Sequence, residues 1–447
     1  MTTTETTSPV TPLRVIELRG LFGDRNIRIE TTDQPVTLLF GQNGVGKSTV
    51  LRVISQMLGP NIENLPQEPL AGALLIFEGG AQMEYVAGSP ALWIETFPDG
   101  KSQREQLPEL ATLDLDPMFG RYVEQETPFL WRDGKLVGAG GRPAPDMMMS
   151  SIRAGFRRTM QQRRSGQPQS QTVQRKLTRD CFLISSDRLV SIATHNSIDH
   201  SLGGLRRRMQ ETETDVVEKI SLELRDLIRD ARQESMKQSW KLDGSFIKRA
   251  AGTLKLEKPL SPEQREALAK EISDLQRRMV NCALATSSLE IPEFGNDTRE
   301  VKLILDLYLR DLLEKAKANL TVLPKLELFE EIVNSHFTDK TASLQVETGL
   351  SIRRRTNDAI IPLDRLSSGE RHLIVLFHHL LFRTSPGGLC LIDEPEISLH
   401  VDWQERFIDS IAKVASVSPQ QYLIATHSPS VVGRHYDLMR DVLGEQI

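Results

Sequence analysis

The sequence predicts an α/β protein: a mixed, largely parallel sheet, an antiparallel β subdomain, and an inserted helical domain of short coiled-coil character. Three observations carry this. An apolar strand runs into a glycine-rich turn and then a helix over 36–58. Strands alternate with helices over 360–432, a pattern that buries a parallel sheet between helical layers. Between these regions lies a long stretch whose apolar residues step by three and four.

Taken in order, residues 13–40 alternate like strands and end in the apolar "VTLLF". After the glycine turn, Val50, Leu51, Val53, Ile54 and Met57 fall at helical spacing. Strands are expected at 73–77, 83–86 and 92–96, and "FLWRDGKLVG" predicts a hairpin turning at Asp133-Gly134. We place the N-terminal half of the main domain at 1–140. Residues 147–179 hold eight Lys or Arg, six Gln and no acid, so 141–180 reads as a flexible basic segment. A strand at 181–185 and its loop fill 181–204.

The helical insertion is expected over 205–340. Val217, Ile220, Leu224, Leu227 and Ala231 share one face, and Leu268, Ile272, Leu275 and Met279 repeat the pattern. Ser261-Pro262-Glu263-Gln264 starts that second helix with a capping box and a first-turn proline. Ile304, Tyr308, Leu312 and Leu313 mark a third. Each stripe lasts two or three heptads, too short for a long coiled-coil arm. The C-terminal half, 341–447, returns to strands at 342–346, 360–363, 389–393 and 422–426, with helices from 370 and 401.

Composition narrows the functional classes. The net charge is −5, so any nucleic-acid contact must come from a local patch. The first twelve residues carry no basic-then-apolar leader, and no apolar run approaches the roughly 20 residues that cross a bilayer. A cytoplasmic protein without membrane contact is expected. Cys181, Cys282 and Cys390 are far apart and odd in number, which suits reduced thiols better than a disulfide or zinc framework.

The motifs that carry chemistry begin with "GQNGVGKST" at 41–49. Glycines let backbone N–H groups turn inward around phosphate oxygens, and the following helix adds its positive end. Lys47 is placed to reach the β- and γ-phosphates, and the Ser48 hydroxyl to ligate Mg²⁺. Gly41, Asn43, Gly44, Gly46, Lys47, Ser48 and Thr49 are therefore the candidate phosphate-binding residues. In "LCLIDEPEISLH" an apolar strand ends in Asp393 and Glu394. Adjacent acids at a strand end also suit a solvated turn. Behind a phosphate loop, the first can hold the magnesium shell and the second can deprotonate an attacking water. "LSSGERH" puts Ser367 and the Gly369 N–H at a helix start, which taken alone reads as an N-cap and, beside the other motifs, as an anion site. His427, in "IATHSP", follows the next buried strand, where it can lie beside a γ-phosphate.

In this order the four pieces resemble the ABC-type ATPases, and within them the branch holding RecF, the SMC-type chromosome-maintenance proteins and the OLD nucleases. The resemblance is strong over 35–58 and 360–432 and weak in the helical middle. It implies a P-loop ABC-ATPase head that binds ATP and Mg²⁺ and works as a head-to-tail dimer or larger homo-oligomer. By that analogy Lys47, Ser48 and Asp393 hold ATP and Mg²⁺, Glu394 is the general base, and His427 contacts the γ-phosphate. Ser367 and Gly369 would reach the ATP of the other subunit. Glu396, Ser398 and His400 fall in the loop that runs between the two sites. Two departures stand out: Ser368 replaces the usual glycine, and the metal-linked glutamine is not evident, with Asp187 or Arg188 as its candidate replacements.

Two tasks suit such a machine. The insertion and the forms of "LSSGERH" and "LIDEPEISLH" look like stand-alone ATPases of the PARIS, Septu and retron-associated anti-phage systems. That predicts an abortive-infection sensor or scaffold that holds and then releases or activates a separate nuclease or toxin, triggered by a phage product. The chain stops twenty residues after His427, with no acidic nuclease constellation following it, so the effector is expected on another chain. The alternative is a RecF/SMC-like DNA-repair or chromosome-maintenance ATPase, with Arg153, Arg157, Arg158, Arg163 and Arg164 on DNA phosphates.

Overall fold

The computed structural model describes residues 8–9, 11–42, 44–59, 62–88, 90–107, 129–132, 135–138, 177–185, 214–256, 258–287, 291, 298–397 and 399–442. Asn43, the Asp133-Gly134 turn, Arg153, Arg157, Arg158, Arg163, Arg164, Asp187, Arg188 and Ser398 lie outside the described residues. Two units are distinguished: residues 1–31, 52–179 and 444–447 form the first, and 32–51 with 180–443 form the second.

The first unit is antiparallel. Its six-stranded sheet runs in the order Arg25–Glu30, Leu13–Leu21, Gly72–Phe77, Gln82–Val86, Leu92–Thr96, Ser102–Gln106. The expected strands are present, each one residue longer at most. Alternation explains why they pair this way: Met83 and Tyr85 are buried while Gln82 and Glu84 are less so, giving one core-facing side. The expected hairpin also forms, with Phe129–Arg132 antiparallel to Lys135–Gly138.

The second unit holds a parallel sheet of five strands among the described residues. We label them β1 (Val36–Phe40), β2 (Cys181–Ser185), β3 (Leu389–Asp393), β4 (Gln421–Thr426) and β5 (Met439–Asp441). Their order across the sheet is β2-β3-β4-β1-β5, every pairing parallel. Continuous apolar runs are what a sheet covered on both faces needs, and all six residues of β4 are buried. The register sets Asp393 opposite Ala425, and Thr426 opposite Phe40, so the strand ends that carry the motifs finish side by side.

Helices follow, the first of them belonging to this unit only as far as Leu51. α1 (Lys47–Leu58) starts directly on the phosphate-loop lysine, and its five expected apolar residues are all fully buried. The insertion contributes α2 (Thr214–Leu256), α3 (Pro262–Asn281), α4 (Arg299–Lys317) and α5 (Leu323–His336). The capping box at Ser261 forms as read, with Ser261 accepting from the Gln264 N–H and the Gln264 side chain accepting from the Ser261 N–H. α6 (Ser368–His378) follows "LSS" and passes into a π-helical turn, His379–Arg383. α7 (Val401–Val417) starts at the predicted residue. A single apolar core joins β1, β2, β3 and β4 to α2, α5, α6 and α7, through residues such as Leu38, Ile392, Ile424, Leu224, Phe329, Phe377 and Phe407.

Two expectations need correction. α2 runs for 43 residues although its buried stripe covers only Val216 to Ile228. The outer part is held instead by polar ties to α4, including Arg249 to Asp311 and Lys315 to Asp243 at 2.6 Å each. The strand expected at 360–363 stops at Ile361, and a 3₁₀ turn, Leu363–Arg365, takes over. Unforeseen was the strand Gly349–Arg354, which pairs antiparallel with Lys340–Gln345. Cys181, Cys282 and Cys390 are free thiols. Burial pushes the Cys282 thiol up to about 12, the direction expected of an inert core cysteine.

Candidate nucleotide site

The candidate site lies wholly within the second unit, at the C-terminal ends of β1, β3 and β4, where ligands of parallel sheets gather. β1 delivers the chain into the loop at 41–46. Gly44 and Gly46 take φ of +81° and +105°, a region costly for any residue with a Cβ, so the glycines are what allow the loop to curl. The loop ends in the first turn of α1, with Val50 N–H bonded to the Gly46 carbonyl at 2.9 Å. Lys47, Ser48 and Thr49 are thus helix N-terminal residues, where free backbone N–H groups and the helix dipole favour an anion. The Lys47 ammonium is buried in the loop and donates to the Gly41 and Gln42 carbonyls at 2.7 and 3.0 Å.

Ser48 Oγ donates to Asp393 Oδ1 at 3.0 Å, across 345 residues of sequence. This contact brings the two motifs together. Burial raises the Asp393 carboxyl above its ordinary 3.8; the Ser48 hydrogen bond and Lys47 oppose the rise, while Glu394 and Glu396 add to it. A hydroxyl and a carboxylate side by side are hard oxygen donors, the set that suits Mg²⁺ and not a soft metal. Ser48 and Asp393 are therefore the residues that would hold Mg²⁺, and the Lys47 loop those that would hold the phosphates.

Glu394 departs from the strand. Its φ is +49°, a left-handed conformation unusual for a residue with a side chain, and its N–H bonds the Ala425 carbonyl at 2.9 Å. Its carboxylate Oε1 lies 3.8 Å from His427 Nδ1. His427 is 41% exposed at its side chain, beyond the end of β4.

The structure also shows what the sequence reading missed. Glu396, assigned to the connecting loop, folds back beneath His427. Its Oε1 accepts from Thr426 Oγ1 at 2.8 Å and from the His427 N–H at 2.9 Å, and lies 3.1 Å from His427 Nδ1. The only sequence signal for this is an acid two positions past the acid pair. His400 stays exposed as the N-cap of α7.

Ser367 is the N-cap of α6 in a full capping box: Glu370 N–H donates to Ser367 Oγ at 3.3 Å, and Glu370 Oε2 accepts from Ser367 N–H at 2.8 Å. Lys340 Nζ reaches the same carboxylate at 2.7 and 2.9 Å, a tie with no sequence signature. The N-cap reading of this motif is thereby realised. It does not exclude the anion reading, because Ser367 and Ser368 are exposed and Gly369 is partly so.

Residues 210–432 match the family model of the AAA ATPase domain. The match starts after the phosphate loop and includes Ser367, Gly369, Asp393, Glu394, Glu396 and His427. None of the curated proteins matches the chain. Among solved structures, the Smc head domain with an extended coiled coil bound to the C-terminal domain of ScpA, from Pyrococcus furiosus, is 16% identical. It aligns over 94% of this chain and 90% of that one with a TM-score of 0.34. An SmcHead bound to the C-winged helix domain of ScpA is 13% identical over the same shares, also at 0.34. The Smc head domain with a coiled coil and joint from Pyrococcus yayanosii is 14% identical, covering 94% and 93%, at 0.31. Residues 210–432 are thus similar to an ATPase domain, and the sheet order and loop geometry give a P-loop α/β fold.

Proposed function

We propose that the chain is a Mg²⁺-dependent ATPase of the RecF/SMC/OLD branch, active as a head-to-tail dimer or larger homo-oligomer. The observation that carries this is the Ser48–Asp393 contact at 3.0 Å, with Lys47 in the loop before it and Glu394 and His427 beyond it. Lys47 and the loop N–H groups bind and orient the phosphates. Bound Mg²⁺ would supply charge neutralisation at the β- and γ-oxygens. Glu394 accepts the proton of the attacking water, and His427 donates to the oxygens on which charge develops. The exposed Ser367 and partly exposed Gly369 of one copy complete the site of a second, so hydrolysis depends on association.

Within that branch we assign the protein to anti-phage defence: an ATP-dependent sensor or scaffold that holds a separate nuclease or toxin and releases or activates it when a phage product binds. The features that favour this are the helical insertion between the two motif-bearing segments and the form of the "LSSGERH" and "LIDEPEISLH" motifs. A trigger can switch such an assembly only by binding its two states differently.

Lys47→Ala and Glu394→Gln should each lower ATP turnover, the second by about 10²–10⁴-fold as expected for loss of a general base, with the circular dichroism spectrum unchanged. Turnover near wild type in either variant would overturn the site assignment. Purification of the chain with its native genomic neighbours tests the task. A stoichiometric nuclease or toxin bound in an ATP-dependent way supports defence. Absence of one, together with DNA-stimulated hydrolysis, supports repair instead.

A further inference from the structure

We infer that Glu396 is a positioning residue for His427, holding its ring and main chain in place and keeping its Nδ1 away from Glu394. The inference rests on the nucleotide-site reading above. Glu396 is nearly enclosed, its side chain 6% exposed, yet it sits in the loop directly after the acid pair. Two donors converge on its Oε1, the Thr426 hydroxyl and the His427 N–H, and His427 Nδ1 lies 3.1 Å from the same oxygen. A ring N–H at Nδ1 would face this acceptor and leave Nε2 as the ring nitrogen turned to a ligand. This is the arrangement by which a carboxylate fixes the tautomer and orientation of a working histidine.

Two further observations separate this from a filler role. Glu396 Oε2 is buried with no partner, so the carboxylate is only half satisfied by the fold around it. A side chain kept for packing alone would do better as an apolar residue. And Nδ1 has two acids within reach, Glu396 at 3.1 Å and Glu394 at 3.8 Å. With Glu396 in place the nearer acid faces Nδ1, and the Glu394 carboxylate remains available for water. The brace is reinforced from the other side: Ser428 Oγ donates to Gln404 Oε1 at 2.8 Å, and Gln404 Nε2 donates to the Leu399 carbonyl at 3.0 Å. His427 is thereby bracketed between Glu396 and the first turn of α7.

The test is a double-mutant cycle on the full chain, read as kcat, KM, affinity for a fluorescent ATP analogue, and urea midpoint. Glu396→Gln keeps the volume and one acceptor but removes the charge. It should lower kcat by roughly 10–100-fold, the usual cost of losing such a carboxylate, with KM, nucleotide affinity and urea midpoint near wild type. His427→Ala should lower kcat at least as much, and adding Glu396→Gln to it should change nothing further. Multiplied losses in the double variant, or a kcat loss that tracks a lower midpoint, would overturn the inference. Should the glutamine variant fail to fold, Glu396→Asp runs the same cycle with the charge retained but withdrawn, and the same non-additivity is required. Failure of the nucleotide-site reading is distinguishable, since it shows as normal turnover in Lys47→Ala.

Discussion

Burial raises the Asp393 carboxyl, and Glu394 and Glu396 add to the effect against the Ser48 hydrogen bond and Lys47. A raised value means that the folded protein holds this proton more tightly than the unfolded chain. Below about pH 3.8 the group is protonated in both states and has no effect. As pH rises through the elevated folded value, the unfolded chain ionises more readily and the fold loses stability. Asp393→Asn should therefore be more stable than wild type to urea at pH 7, without nucleotide or magnesium, with the advantage vanishing near pH 3, while turnover is lost. Equal midpoints at pH 7 would contradict this. Asp393, like Lys47 and Ser48, was legible because motif and chemistry coincide in a few contiguous residues. The role of Glu396 was not, because it depends on the pairing of β3 with β4, which brings together residues 31 apart in sequence. Nor was the left-handed backbone at Glu394, since nothing local in "DEPE" requires it.

At the scale of elements, periodicity located the helices because apolar stripes must face a core, and α3 follows its pattern, whereas in α4 the expected Ile304 is exposed and Leu303, Leu307 and Leu309 are buried beside the expected Leu312. It underestimated α2, whose outer length depends on charged ties to a helix distant in sequence. The missed strand Gly349–Arg354 is explained by its neighbour. It lies against α2 so closely that a Cβ on Gly349 would sit 1.8 Å from the Ser221 carbonyl oxygen, and Gly349 itself has φ +83°. Ser221 Oγ completes the contact, accepting from the Leu350 N–H at 2.9 Å and reaching the Thr348 carbonyl at 2.7 Å. Here the fold requires glycine for both conformation and space, a need invisible without the helix that imposes it. Gly349→Ala should lower the urea midpoint by an amount equivalent to more than about 1 kcal/mol. Ser221→Ala, which removes the hydroxyl but adds no atom, should cost about 1 kcal/mol.

Across the whole second unit, the parallel sheet was legible as a class, since apolar runs between helices leave few alternatives. Its strand order was not, because no local pattern says which run lies beside which. That order has a consequence for biosynthesis. β1 is made early, yet both its neighbours come from the far end of the chain, Val36 pairing with Tyr422 and Leu38 with Met439. A ribosome adding about 5–20 residues per second needs roughly 20–80 seconds to reach them. For that interval "VTLLF" is an apolar strand with two unfilled edges, the kind of template that seeds aggregation. Ribosome-bound chains arrested before residue 421 should be cut rapidly by protease around the phosphate loop, and chains arrested after the last strand has left the exit tunnel should resist. Folding of this sheet during synthesis is therefore a race between the arrival of β4 and β5 and misassembly of β1, and the yield in the cell should depend on chaperones that shield β1 until its neighbours emerge.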